Sequence, residues 1–176
     1  MRKWNFCAGP AAIPEEVLRD AQNELLEWNL SGSSVMEVSH RSELFAEVAV
    51  SSTKDIKALL NIGDDHEVLF LQGGATLQFT SIPLNFTKNS SIVSYLNTGL
   101  WSKKAIKAAS KYASVNVVAS SEESNFTFVP NTQEWRVDPD SIYFHYVMNE
   151  TIQGLAMRDP ISVSYTHLTL PTKRIV

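Results

Sequence analysis

Ile92-Val93-Ser94-Tyr95-Leu96-Asn97-Thr98-Gly99-Leu100-Trp101 is the stretch from which the fold can be read. Its first half is a short apolar run of strand formers; its second half breaks at a glycine and enters a helical pattern expected to fill residues 100–112. The same succession repeats on either side. Upstream, Val68-Leu69-Phe70-Leu71 lacks the polar alternation of a half-exposed strand and leads through Gln72-Gly73-Gly74 into a helical segment at 75–86. Downstream, Val115-Asn116-Val117-Val118 and Ile142-Tyr143-Phe144-His145-Tyr146-Val147 read as further strands. Strands that alternate with helices predict an α/β domain with a mainly parallel sheet flanked by helices, since a parallel pair needs a crossover between its strands.

Two helices are expected before this region. Residues 14–28 place Pro14 at the first helical position, Glu15 and Glu16 in the first turn, and Val17, Ala21, Leu25 and Trp28 on one face. Residues 42–60 keep the helical period through Phe45, Val48, Ala49, Ser52, Ile56, Leu59 and Leu60, and Asn61-Ile62-Gly63 ends it. Residues 120–138 are polar and read as a surface excursion or a small accessory element.

Composition narrows the function classes. The chain has 176 residues, 44% hydrophobic and 19% charged, enough for the core of one globular domain. A net charge of -4 with scattered cations, apart from the helical face Lys103, Lys104, Lys107 and Lys111, supplies no basic groove and argues against a nucleic-acid partner. No apolar run approaches the roughly 18 residues of a membrane helix. Gly9-Pro10 interrupts the amino terminus before a signal core could form, so a cytoplasmic location is expected. Cys7 is the only cysteine, which excludes an internal disulfide and a two-cysteine metal site.

Candidate ligand groups sit where strands end. Gln72-Gly73-Gly74-Ala75-Thr76 opens a helix, whose free amides, dipole and Thr76 hydroxyl suit a phosphate; a tight turn with no ligand is the other reading. No Walker lysine follows, which argues against a nucleotide triphosphate loop. Trp101 begins the next helix and could stack on a planar ring, or serve as an ordinary core residue. Thr151, in Asn149-Glu150-Thr151, could bond a ligand oxygen or cap a turn. Arg41 could grip a carboxylate or phosphate with its planar fork, or cap local backbone, and His40 beside it could lend a hydrogen bond or proton. A parallel sheet gathers its strand ends at one edge, so the three strand-end groups carry more weight together than singly.

In this order the segments resemble the phosphoserine aminotransferase family, class-V enzymes that use pyridoxal 5'-phosphate. The resemblance runs from about residue 5 to residue 160. It is carried by Asn5-Phe6-Cys7-Ala8-Gly9-Pro10, Ser34-Val35-Met36-Glu37-Val38-Ser39-His40-Arg41, Gln72-Gly73-Gly74-Ala75-Thr76-Leu77-Gln78-Phe79, Gly99-Leu100-Trp101, and His145-Tyr146-Val147-Met148-Asn149-Glu150-Thr151-Ile152-Gln153-Gly154. It implies part of a three-layer αβα cofactor-binding domain in residues 1–160, with the carboxy-terminal half missing. Ala75 and Thr76 would then hold the cofactor phosphate, Trp101 would stack on its ring, and Thr151 would hydrogen-bond it. Arg41, with His40 beside it, would meet an acidic group of the substrate, either the glutamate side chain or the phosphate of phosphoserine. The implied reaction moves an amino group between glutamate and 3-phosphohydroxypyruvate, in a homodimer, for serine biosynthesis; related members also act in pyridoxine biosynthesis. A non-catalytic α/β module that binds a phosphorylated ligand is the alternative.

The chain departs from the family at its end. The family's Schiff-base lysine and the aspartate facing the pyridine nitrogen lie beyond the Asn-Glu-Thr segment, and no lysine from Lys3 to Lys173 stands in a matching motif. Without that lysine this chain is expected to be inactive. Val163-Ser164-Tyr165-Thr166-His167-Leu168-Thr169-Leu170-Pro171-Thr172 resembles no part of the family, yet it translates GTC TCT TAT ACA CAT CTG ACG CTG CCG ACG, a transposon-end sequencing adapter. Residues 161–176 are therefore expected to be a non-native tail. Adapter-free reads across the locus should give a different sequence after the codon for Pro160; recovery of the same tail would overturn that expectation.

Overall fold

The structure, a computed structural model, describes residues 2–158, so the expected non-native tail lies outside the described residues. The described chain divides after Phe70 into two compact units. In the first, helices α1 (Glu15–Asn23) and α2 (Glu43–Leu60) flank a 3-10 turn at Val35–Glu37. The Ser42 hydroxyl accepts the Phe45 N–H at 3.3 Å and starts α2, while Asn61 closes it in the left-handed conformation. Ser34 and Glu37 cap the 3-10 turn reciprocally. Helix α1 stops at Asn23, short of the expected Trp28. Neither α1 nor α2 buries a residue, so no packing extends a short helix beyond its local preference.

The second unit holds α3 (Gly74–Phe86), β1 (Ile92–Asn97), α4 (Leu100–Ala109), β2 (Ser114–Ser120), β3 (Ser141–His145) and a small hairpin of β4 (Asn149–Glu150) and β5 (Leu155–Ala156). Strands β2, β1 and β3 form a parallel sheet in that order, and β4 pairs with β5 antiparallel. The α/β class and the parallel sheet flanked by helices are as expected. Helix α4 ends at Ala109, and Ser110 to Tyr112 finish in a turn in which the Tyr112 N–H donates to the Ala109 carbonyl.

Strand β1 lies between its two neighbours and is buried from Val93 to Asn97. Alternation sends Val93 and Tyr95 to one face, where they pack on Ala105 and Ala109 of α4, with Phe79 of α3 alongside. The small alanines let α4 approach the strands closely. Ser94 points to the opposite face and ties three segments together. It bonds the Ser141 hydroxyl at 2.6 Å, accepts from Asn116 Nδ2 at 3.0 Å, and accepts the Asp138 N–H at 3.3 Å. Asn116 also donates to the Arg136 carbonyl at 2.8 Å, and Trp135 packs its ring on Phe144, 5.5 Å between centroids. Residues 120–138 are therefore an accessory cover for this face, built from two 3-10 turns, Glu122–Ser124 and Thr132–Glu134.

One expected strand is absent. Residues 68–71 form no ladder, and Leu69, Phe70 and Leu71 stand exposed. Strands exist by pairing, and among the described residues nothing pairs with this run. No helix of the described residues is long and apolar enough to cross a membrane.

His145 closes β3 on the helical face, stacked on Tyr95 at 4.7 Å with Phe79 edge-on at 6.2 Å. Burial among these rings pushes its pKa down from 6.5 to about 4. Between those values the unfolded chain binds the extra proton and the folded chain does not. Stability is therefore unaffected by this group above about pH 6.5 and falls as pH is lowered toward 4, by up to about 3 kcal/mol. His145→Phe should flatten that part of the pH profile in urea unfolding; parallel wild-type and variant profiles would contradict the burial argument.

Candidate functional site

Parallel strands end at a common edge, so the loops after β1, β2 and β3 meet regardless of their distance in sequence. The loop after β1 turns through Thr98 and Gly99 into α4, and the loop after β3 enters the β4–β5 hairpin. These two loops are bonded directly. The Glu150 side chain, its residue only 1% exposed, accepts the Trp101 N–H at 2.8 Å through Oε2 and the Ser102 N–H at 2.9 Å through Oε1. Gln153 Oε1 accepts the Leu100 N–H at 3.2 Å. Next to Glu150, Thr151 Oγ1 accepts the indole Nε1–H of Trp101 at 2.9 Å. Inside the turn, Ser102 Oγ accepts the Thr98 and Gly99 N–H groups, each at 2.9 Å.

The first amides of α4 are thus already occupied, and a carboxylate sits where the helix dipole would favour an anion. Helix α3 is the opposite case. It starts after Gly73, whose φ of 85° is left-handed, and a Cβ there would lie 2.6 Å from the Leu77 Cβ. Among the described residues no side chain caps α3, and the amides of a first helical turn have no acceptor within the helix. Ala75 and Thr76 are exposed in that turn, so backbone donors and a hydroxyl are presented together.

Trp101 is half-buried, with Lys104 Nζ 4.5 Å from the ring centroid over one face. A planar ligand would use the opposite face. Thr151 accepts from the indole, which leaves its own O–H free to donate. Asn97 Nδ2 donates to Ser120 Oγ and Glu122 Oε2, both at 3.0 Å. Hydrogen bonds from Lys103 and then Asn97 hold the Glu122 carboxyl below its usual range. Three buried polar atoms lack a hydrogen-bond partner among the described residues: Thr98 Oγ1 after β1, Ser121 Oγ after β2 and His145 Nδ1 at the end of β3. All three lie at or just after the ends of the parallel strands, where a buried polar atom without a partner calls for a polar group to meet it.

The structure brings Trp101 and Thr151 into contact and sets Ala75 and Thr76 at the open end of α3. Arg41 and His40 belong to the first unit, exposed just before α2. The Arg41 N–H donates to Ser39 Oγ at 3.2 Å, and its guanidinium makes no ion pair among the described residues. Sequence reasoning missed Glu150 and Gln153 as caps. A cap is signalled by its place before a helix, and these residues reach α4 from about fifty positions later.

A parallel sheet with polar and aromatic side chains gathered at its carboxyl edge defines an α/β domain, and the comparisons give its family. The model described as "Aminotransferase class-V" matches residues 3–165, and the chain belongs to that family. Within it, the chain is similar to phosphoserine aminotransferases. It is 49% identical over 158 residues to that of Hahella chejuensis, covering 90% of this chain and 44% of the relative. It is 52% identical over 152 residues to that of Chromobacterium violaceum, covering 86% and 42%. The solved PLP-bound phosphoserine aminotransferase of Trichomonas vaginalis superposes with a TM-score of 0.85 at 41% identity, over 93% of this chain and 46% of that one. The chain therefore spans less than half the length of these relatives.

A Cβ on Gly99 would lie 2.5 Å from the Glu150 carboxyl carbon and 2.7 Å from Gln153 Oε1. Gly99→Ala should push the hairpin off α4 and lower the unfolding free energy by roughly 1–3 kcal/mol. Chemical denaturation measures this, and a wild-type midpoint would mean that the contact is looser than described.

Proposed function

We propose that this chain is the amino-terminal part of a pyridoxal-phosphate-dependent phosphoserine aminotransferase. The observation that carries the reading is the Trp101–Thr151 pair, held at one sheet edge in a unit that also presents the uncapped start of α3. The similarity to named phosphoserine aminotransferases over nine-tenths of the chain supports it. In this reading the amides of Ala75 and Thr76, with the Thr76 hydroxyl, hold the cofactor phosphate. Trp101 would support the ring, and Thr151 would hydrogen-bond the cofactor. Arg41, with His40 beside it, pairs with an acidic group of the substrate.

When bound, pyridoxal phosphate supplies the electron sink that amino transfer requires. The substrates would be glutamate and 3-phosphohydroxypyruvate, with 2-oxoglutarate and phosphoserine as products. No lysine of this chain stands in the family's Schiff-base motif, so that residue is assigned to sequence outside these 176 residues. The activity belongs to the longer parent protein, read as a cytoplasmic homodimer, and residues 161–176 are read as foreign to it. The chain alone should not turn over.

The test is to join residues 1–160 to the natural downstream sequence and purify the product. It should show a visible absorbance band from bound pyridoxal phosphate and make phosphoserine from glutamate and 3-phosphohydroxypyruvate. Arg41→Ala should lower kcat/KM at least about tenfold, the loss expected for one charge-assisted hydrogen bond to substrate. A product that binds inorganic phosphate but neither takes up the cofactor nor transfers an amino group would replace the enzyme reading with that of a binding module.

A further inference from the structure

We infer that Glu150 is the positioning residue for Trp101, setting where the indole stands at the sheet edge. The inference rests on the proposed cofactor site, and its structural content is independent of any ligand. Trp101 is the second residue of α4, in the turn that ordinarily frays because its amides lack partners. Here one buried carboxylate takes two successive amides, Trp101 and Ser102, at 2.8 and 2.9 Å. Hydrogen bonds to a carboxylate are about twice as strong as neutral ones, and burial removes the competing water. The backbone that carries the indole is thereby fixed.

The ring itself is tied by the neighbouring residue, through the bond from Trp101 Nε1 to Thr151 Oγ1. Glu150 and Thr151 are consecutive at the start of a hairpin that closes on itself. The Gly154 N–H donates to the Glu150 carbonyl at 2.8 Å, and the Met157 N–H to the Met148 carbonyl at 2.8 Å. Backbone and ring of Trp101 are therefore both held by one rigid hairpin. If the carboxylate lets go, only the longer Leu100–Gln153 bond still ties α4's first turn to the hairpin, and the Trp101–Thr151 bond loses its alignment. A simple helix cap would affect stability and leave the ring where it is.

Indole hydrogen exchange separates the two. In the 15N-labelled 176-residue chain, the Trp101 indole signal is assigned by its loss in Trp101→Phe, and exposed Trp4 serves as reference. Glu150→Ala should speed exchange of the Trp101 indole about tenfold, the effect of losing one hydrogen bond, together with the Trp101 and Ser102 amides. Glu150→Gln, which keeps one acceptor oxygen, should fall between it and wild type. Thr151→Val should release the indole while the two amides stay protected. Unchanged indole exchange in a folded Glu150→Ala chain overturns the inference, even if its melting temperature falls. If Glu150→Ala does not fold, unchanged exchange in Glu150→Gln overturns it equally. A parallel titration with pyridoxal phosphate should shift the Trp101 indole signal in wild type and require several-fold more cofactor in Glu150→Gln. No shift in wild type counts against the cofactor reading alone, since the exchange data still decide the role of Glu150.

Discussion

The buried Glu150 carboxylate on the first turn of α4 is the contact on which the sheet edge depends. Removing a carboxylate from water costs several kcal/mol, and a single neutral partner would not offset that. Two amide donors, each in a charge-assisted bond, and the positive end of α4 supply the compensation together. The arrangement joins residues about fifty positions apart, so the loop after β3 and the helix after β1 become one surface. Gly99 is part of the same constraint: the carboxyl group occupies the space a side chain would take.

Beneath that edge, β1 separates two kinds of packing. Toward α3 and α4 it presents Val93 and Tyr95, and the Tyr95 hydroxyl meets the Tyr143 hydroxyl at 2.8 Å. Burial, and then its bond to Tyr143, raises the Tyr95 pKa, so its hydroxyl keeps its proton and can donate within the core. Toward residues 120–138 the strand presents Ser94, fully buried and bonded to three other segments. A buried hydroxyl is tolerated when it is satisfied, and here it fixes how β2, β3 and the accessory cover sit against β1.

The α/β class, α2, α3, α4 and strands β1 to β3 were legible because each carries its period or punctuation locally. Ser42 and Asn61 bracket α2, Gly73 marks the start of α3, and Gly99 marks the turn from β1 into α4. The run at 68–71 was misread for a physical reason. An apolar run reports a preference for burial, whereas a strand requires a partner, and pairing is not written in the run itself. The accessory role of 120–138 was half legible, since polarity put it on the surface but only Trp135 against Phe144 shows what it covers. Trp101 and Thr151 were expected at one edge because both follow strands of a parallel sheet, and there they meet. Their direct bond, and the Glu150 clamp behind it, depend on a loop geometry that no local pattern encodes.

The two helix starts in this unit differ in the charge they present. At α4 the dipole is already neutralised by Glu150, and Glu122 adds a second carboxylate after β2, partly screened by Lys103. At α3 the first-turn amides have no side-chain cap, and no acidic residue stands in that turn. An anionic group therefore gains more at α3 than at α4, while Trp101 offers a π face and Thr151 a single donor. The carboxylate that accepts the Trp101 and Ser102 amides thus also makes the start of α4 the poorer place for an anion.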